Sequence, residues 1–420
     1  MPVDERLGRG RLDAVHRDGL ALVLSSGLTS AVGLLYWVLA ARLFTPTEVG
    51  INSVALSTMM LLGGLAHLNL TQALLRFVPV AGPRTRRLVV SCYGVAATVA
   101  ALVGLGYAVG APRWAPEMVD AVGHGPLLVF FAVATPLWAV STMQDYLLTG
   151  LQRAAVVPVE NLVFAVLKIV LLAAAAWWAV AGGIAASWVL ATALVVLVVN
   201  VWLLVRVIPQ RTDGAMAGPV RFAPVARFVR SDYAGATLWQ LAIYGLPALV
   251  LARLGAAEAA VYGMVWTITM ALYLVPSGMA QSMIAHTADD PTRADAARRA
   301  VVRRSLVLVA PAAVVLAVGA YPVLWLFGEH YAERGSWALA LAALSAIPQV
   351  VTASTVAQAR VQQRMRLLVA VPGATALAVL TCAWLLMPLL GITGVALSWL
   401  LVQLATAAVL TLRELFVSAR

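Results

Sequence analysis

The chain has 420 residues, of which 62% are hydrophobic and only 11% charged, and its mean hydropathy is +0.91. A soluble domain of that length has nowhere to bury so much apolar surface, so composition excludes a water-soluble globular protein. The net charge of +11 raises nucleic-acid binding, but the arginines are scattered through short polar segments with no aromatic-interleaved basic face. Membrane topology and contact with anionic headgroups account for them instead.

A membrane span needs about 20 apolar residues. In chain order, twelve runs reach that length: 20–43, 49–72, 88–110, 126–149, 157–179, 183–205, 234–252, 260–284, 305–327, 337–359, 367–388 and 391–412. With the N-terminus inside, 24 of the 28 arginines fall on the cytoplasmic side. Only Arg42, Arg113, Arg253 and Arg334 lie outside, and the chain's one lysine, Lys168, is within a span. A single misplaced span would scramble that alternation, so the bias supports the span count and places both termini in the cytoplasm.

The expected architecture is an all-α polytopic membrane protein with about 12 transmembrane helices in two parallel six-helix lobes. A polar segment (1–19) precedes the first lobe (20–206). A linker (207–233) holding Pro209, Gly214, Gly218, Pro219 and Pro224 leads to the second lobe (234–412) and a short tail (413–420). The segment 1–19 is too polar for a cleaved signal peptide and reads as an interfacial helix or a loose lead. Residues 222–233 read as an amphipathic cytoplasmic helix. Cys92 and Cys382 fall in different spans, and two isolated thiols give neither a metal spacing nor a disulfide framework.

The two halves resemble one another. ARLFTPTEVG (41–50) joins spans one and two, and ARLGAAEAA (252–260) joins spans seven and eight. Six crossings return the chain to the same side, so such repeats are parallel, related by an axis along the membrane normal. The stretch ARLFTPTEVGINSVALSTMMLLGGLAHLNLTQALLRFVP resembles the opening of Wzx-type polysaccharide flippases of the multidrug/oligosaccharidyl-lipid/polysaccharide exporter superfamily. Ala41, Arg42, Pro46, Glu48 and Gly50 match that family's first turn. Ala73, Leu74, Arg76, Phe77 and Pro79 match the end of its second helix, and LLTGLQR (147–153) its turn after helix four. Asn69 stands where the family usually has glycine.

The resemblance implies a transporter that moves an undecaprenyl-diphosphate-linked oligosaccharide from the inner to the outer leaflet by alternating access. Its partners would be that lipid-linked glycan, membrane lipids and polysaccharide assembly proteins, with no nucleic acid. The place implied is the bacterial cytoplasmic membrane. No organic cofactor or metal is expected, and either a proton or a sodium gradient could drive the cycle. No phosphate-binding lysine loop is present, which argues against direct drive by ATP.

An ammonium at the depth of Lys168 costs at least ~2.5–3.5 kcal/mol, so it should face a hydrated cavity or an acid. It reads as a counter-charge for the substrate's diphosphate or acidic sugar, against a structural pairing. Asn161, seven residues earlier, shares its helix face, while Glu160 is turned away by about 80°. Gln144 and Asp145 close span four beside them. Asp145 and Glu160 are therefore the candidates for ion coupling, the competing reading being headgroup-level pairing with Arg153.

Arg76 and Arg153 sit where an anionic headgroup would enter. Tyr36, Trp37 and Tyr262 read as interface anchors, whereas Trp266 and Tyr273 lie deep enough to stack on sugar rings, with core packing as their default reading. Arg42–Glu48 and Arg253–Glu258 read as turn salt bridges. Pro247 and Pro276 are bending points for alternating access. The dispersed histidines place no base beside a nucleophile, which argues against catalysis. The rival readings are a cation-coupled drug antiporter of the same superfamily and a membrane-embedded polymerase or acyltransferase.

Overall fold

The structure is a computed structural model that describes residues 31–180, 182–209, 223–287, 294–362 and 364–418. Residues 1–19 and most of the linker lie outside the described residues. Everything described is helix, turn or short connection, with no strand.

In chain order the helices are α1 (Ala31–Leu43), α2 (Pro46–Ala66), α3 (Leu70–Phe77), α4 (Thr85–Trp114), α5 (Pro116–Val122), α6 (His124–Gly150), α7 (Val156–Trp177) and α8 (Gly183–Trp202). The second half holds α9 (Ala223–Leu254), α10 (Ala256–Thr287), α11 (Ala294–Val318), α12 (Ala320–Trp325), α13 (Glu329–Val361) and α14 (Met365–Ser418). Ten of these are long and apolar enough to cross a membrane, and α1 is a shorter apolar helix. α14 is broken at Gly391, where φ is 57° and ψ −141°. The expected separate helix at 222–233 is instead the first part of α9, continuous with the span that follows.

Residues such as Val163, Val166 and Val170 on α7 and Val307, Val314 and Val315 on α11 are exposed, as is required of helices facing lipid. The exposed tryptophans among the described residues are Trp114, Trp177, Trp178, Trp325, Trp337 and Trp384. All sit at the arginine-poor ends of their helices, where indole rings mark a headgroup level.

The turn into α2 shows why its sequence reads as it does. Thr45 is the N-cap and Pro46 the first helical residue. The Thr45 backbone N–H donates to Glu48 Oε2 (2.9 Å) and the Glu48 N–H donates back to Thr45 Oγ1 (3.3 Å), a complete capping box. Glu48 is thus committed to the cap, and the expected Arg42–Glu48 pair does not form. Arg42 instead reaches the other half of the chain, donating to the Trp325 (2.7 Å) and Leu326 (2.9 Å) carbonyls after α12. The Arg253–Glu258 pair fails similarly: Glu258 pairs with Arg334, and the Arg253 guanidinium lies 3.3 Å from the centre of the Trp384 ring.

The second expected span is interrupted. α2 stops at Ala66, and Leu68 (φ 49°) and Asn69 (φ 57°) adopt left-handed backbone before α3 begins. Asn is the side chain that best tolerates that region after glycine, which explains both the family's glycine and its replacement here. We expect Asn69→Ala to destabilise the protein by about 1–2 kcal/mol and Asn69→Gly to be near neutral, read as melting temperature in detergent.

The linker divides the helices in chain order into a first group, α1–α8, and a second, α9–α14, and α2 packs closely against both α9 and α10. At the arginine-poor end the groups share one core, in which Tyr36, Val54, Met59 and Phe131 meet Leu246, Val265, Leu339 and Trp399. At the arginine-rich end the core divides. Leu74, Val89, Met143, Leu147 and Leu203 form a cluster of the first group alone, and Met283 with Ala357 belongs to the second. The α2–α9 contact bridges that end: the Tyr233 hydroxyl donates to the Leu65 carbonyl (2.5 Å).

Candidate functional site

The first group buries a polar cluster where α6, α7 and α8 meet near the arginine-rich end. Gln144 on α6 donates from Nε2 to Glu160 Oε2 on α7 (3.0 Å), and Asn200 on α8 donates from Nδ2 to Gln144 Oε1 (2.5 Å). The Asp145 and Glu160 carboxyls lie close enough to interact directly. Neither carboxyl pairs with a cation among the described residues, and Arg153 is exposed beyond the end of α6. The headgroup-level pairing with Arg153 is therefore not what forms.

A backbone atom sets the orientation of this cluster. Asn200 Nδ2 also donates to the Val196 carbonyl (2.8 Å), which can only accept, so the amide nitrogen of Asn200 must point there. Gln144 must then offer its oxygen to Asn200 and its N–H to Glu160. Glu160 thus faces an N–H donor at the position where a bound cation would be met by an oxygen ligand. Sequence reasoning placed Gln144, Asp145 and Glu160 together, but missed Asn200 and Tyr93. The Tyr93 hydroxyl is buried in the same region without a hydrogen-bond partner. The signal available was a polar residue at the same depth in each neighbouring span.

Lys168 is not part of that cluster. It is 4% exposed, and it meets neither a carboxylate nor any hydrogen-bond acceptor among the described residues. Aromatic rings surround it instead, with centroids 4.0 Å (Trp188), 4.8 Å (Tyr36) and 4.9 Å (Phe164) from Nζ. No acid meets it among the described residues; the π faces around it attract a cation through the ring quadrupole. Tyr36 is 0% exposed because it walls this box, not because it anchors an interface. Asn161 is half-buried on the same helix and makes no hydrogen bond among the described residues. Arg76 lies on α3.

Trp266 on α10 lies in the core shared by the two groups and Tyr273 in a smaller cluster of the second group, 7% and 5% exposed. Trp266 packs against Trp399 (4.6 Å between centroids), and the Tyr273 hydroxyl meets Ser345 Oγ (2.8 Å). A chain of amides runs beside them: Thr352 Oγ1 donates to Gln403 Oε1 (3.1 Å), and Gln403 Nε2 donates to Gln349 Oε1 (2.7 Å). In this conformation both rings are packing groups, as is Tyr262, which is fully buried rather than interfacial. Among the described residues no cluster of His, Cys, Asp and Glu has the make-up of a metal site.

Residues 15–222, the part that carries the carboxyl pair and the lysine box, match the family model described as polysaccharide biosynthesis protein. That part of the chain is similar to this family. No curated protein sequence matches the chain. Among solved structures it is similar to the lipid II flippase MurJ in an inward closed conformation. There the TM-score is 0.72 at 12% identity, over 94% of this chain and 87% of that one. It is similar to an inward-facing multidrug resistance MATE family transporter of the MOP superfamily with a TM-score of 0.71 at 14% identity, over 93% and 95% of the two chains. A MOP superfamily transporter from Pyrococcus furiosus gives 0.68 at 15% identity over 94% and 93%. At such identities these likenesses establish the fold, the one these transporters share, and with its ten apolar helices the protein is a multi-pass membrane protein.

Proposed function

We propose that the protein flips an anionic lipid-linked oligosaccharide from the inner to the outer leaflet of the bacterial plasma membrane, in cell-surface polysaccharide biosynthesis. The observation that carries this reading is the match of residues 15–222 to the polysaccharide biosynthesis family on a MOP transporter fold. The charge inside the first group agrees with it: the ammonium of Lys168 is buried without a carboxylate, which suits an anionic substrate better than a cationic drug.

In this reading the chain crosses the membrane twelve times with both termini cytoplasmic, α14 supplying two crossings on either side of Gly391. The divided core then faces the cytoplasm, and Arg76 and Arg153 lie at the entrance, where they draw in the diphosphate. The shared core, sealed by Arg42, faces outward, and rocking of the two groups about α2 alternates access. The Asp145–Glu160 pair carries the coupling ion, a proton, because two carboxyls in contact avoid repulsion by holding a proton between them. The N–H that Gln144 aims at Glu160 disfavours sodium at the same place.

The test is translocation of a fluorescent undecaprenyl-diphosphate oligosaccharide in proteoliposomes. The expected result is protein-dependent flipping, faster with an imposed pH gradient and indifferent to sodium. Failure with several glycans, together with uptake of organic cations, would establish the drug-antiporter reading instead.

A further inference from the structure

We propose that Tyr36, Phe164 and Trp188 form an alkylammonium-binding box that the chain fills with its own Lys168. On this view Lys168 is a specificity-determining residue that keeps small organic cations out of the first group of helices.

The box is built independently of its occupant. Its walls come from three helices, α1, α7 and α8, and each ring is fixed by contacts that do not involve the lysine. The Tyr36 hydroxyl donates to the Ile184 carbonyl (2.8 Å) and lies 3.1 Å from Ser187 Oγ. Trp188 stands edge-to-face against both Tyr36 (5.4 Å) and Phe164 (5.6 Å). Three aromatic faces converging on one point are how proteins recognise ammonium ligands, because each face presents negative quadrupole density to the cation.

The occupant, in turn, has no other support. A buried lysine is ordinarily offset by a carboxylate, and none pairs with this one among the described residues. The Trp188 indole N–H is also buried without a partner, so no acceptor reaches into the box from that side either. Truncation at Cβ removes three methylenes and the ammonium, so the space left has the shape and charge preference of n-propylammonium.

The experiment uses the purified full chain in detergent with n-propylammonium chloride as the probe and sodium chloride at equal ionic strength as the control. Lys168→Ala is expected to bind the probe at least tenfold more tightly than the wild type, seen as a concentration-dependent rise in melting temperature. Adding Trp188→Leu to Lys168→Ala should abolish that rise. Equal response of wild type and Lys168→Ala would overturn the proposal, since the rings would then be only packing around the lysine stem.

Should Lys168→Ala not fold, the wild type offers a second route, because Lys168 is the chain's one lysine. A membrane-permeant amine-reactive reagent, with the modified residue mapped by mass spectrometry, reads that single side chain. Modification of Lys168 is expected to be at least tenfold faster in Trp188→Ala than in the wild type, and equal rates overturn the proposal. Both readouts measure binding or reactivity and do not depend on whether the protein flips a glycan.

Discussion

Gly50→Val is expected to hold the protein open at the arginine-poor end and to stop transport. Gly50 lies where α2 crosses α10, and a Cβ built there would fall 1.8 Å from the Ala256 carbonyl oxygen and 2.7 Å from its carbon. Both are backbone atoms, so no side chain can turn aside to make room, and the helices must separate. Overpacking of this kind costs about 1–3 kcal/mol, which is about a 5–150-fold shift of population away from the closed arrangement. Arg42 would lose its hold on the Trp325 and Leu326 carbonyls at the same time, because that contact spans the same two groups of helices.

The check is a distance measured between labels at Thr47→Cys and Ala252→Cys, with Cys92 and Cys382 replaced by serine. The distribution should lengthen in Gly50→Val and stay short in the Gly50 parent. An unchanged distribution with normal transport would mean that α2 and α10 need not approach so closely.

Glu160→Gln is expected to uncouple transport from the proton gradient. The substitution keeps the volume and a hydrogen-bonding head group but removes the carboxyl proposed to share a proton with Asp145. Gradient-driven flipping should fall by about 5–150-fold, the range of a typical coupling free energy, while exchange without a gradient continues. Proteoliposomes with and without an imposed pH gradient separate the two rates. Equal loss of both would make Glu160 a structural residue of the α6–α7–α8 junction instead of the coupling site.

How much of this was legible beforehand depended on the kind of physics involved. The helices followed from apolar length, and even the interruption near Asn69 had a trace in the sequence, since a position that the family usually fills with glycine signals left-handed backbone. The turn at 41–50 was readable as a motif, but its capping box of Thr45 and Glu48 was not recognised. The partners of Arg42 and Glu258 were misread because pairing was assigned by nearness in sequence. Once Glu48 is taken by its cap, Arg42 finds carbonyls 283 and 284 residues away. Glu258 similarly meets Arg334 across a helix pair.

The candidate site divides along the same line. Gln144, Asp145 and Glu160 sit at adjacent ends of consecutive helices, so a short turn had to bring them together. Asn200 joins them from the next helix but one, at a rotation that no local pattern specifies. The surroundings of Lys168 were expected to be water or an acid, because only those offset a charge cheaply by rule. The rings that surround it come from α1 and α8 as well as its own helix, and their convergence is a property of packing alone.

The sequence by itself determined that this is a helical membrane protein, and that a buried lysine and two carboxyls required explanation. Hydrophobic length and charge bias are sums over local residues, and the bilayer reads them without reference to the rest of the fold. Only the tertiary structure decided what those buried groups face: π systems for Lys168, an amide N–H for Glu160, and a distant backbone for Arg42. Each of those choices is set by how helices far apart in the chain are rotated against one another.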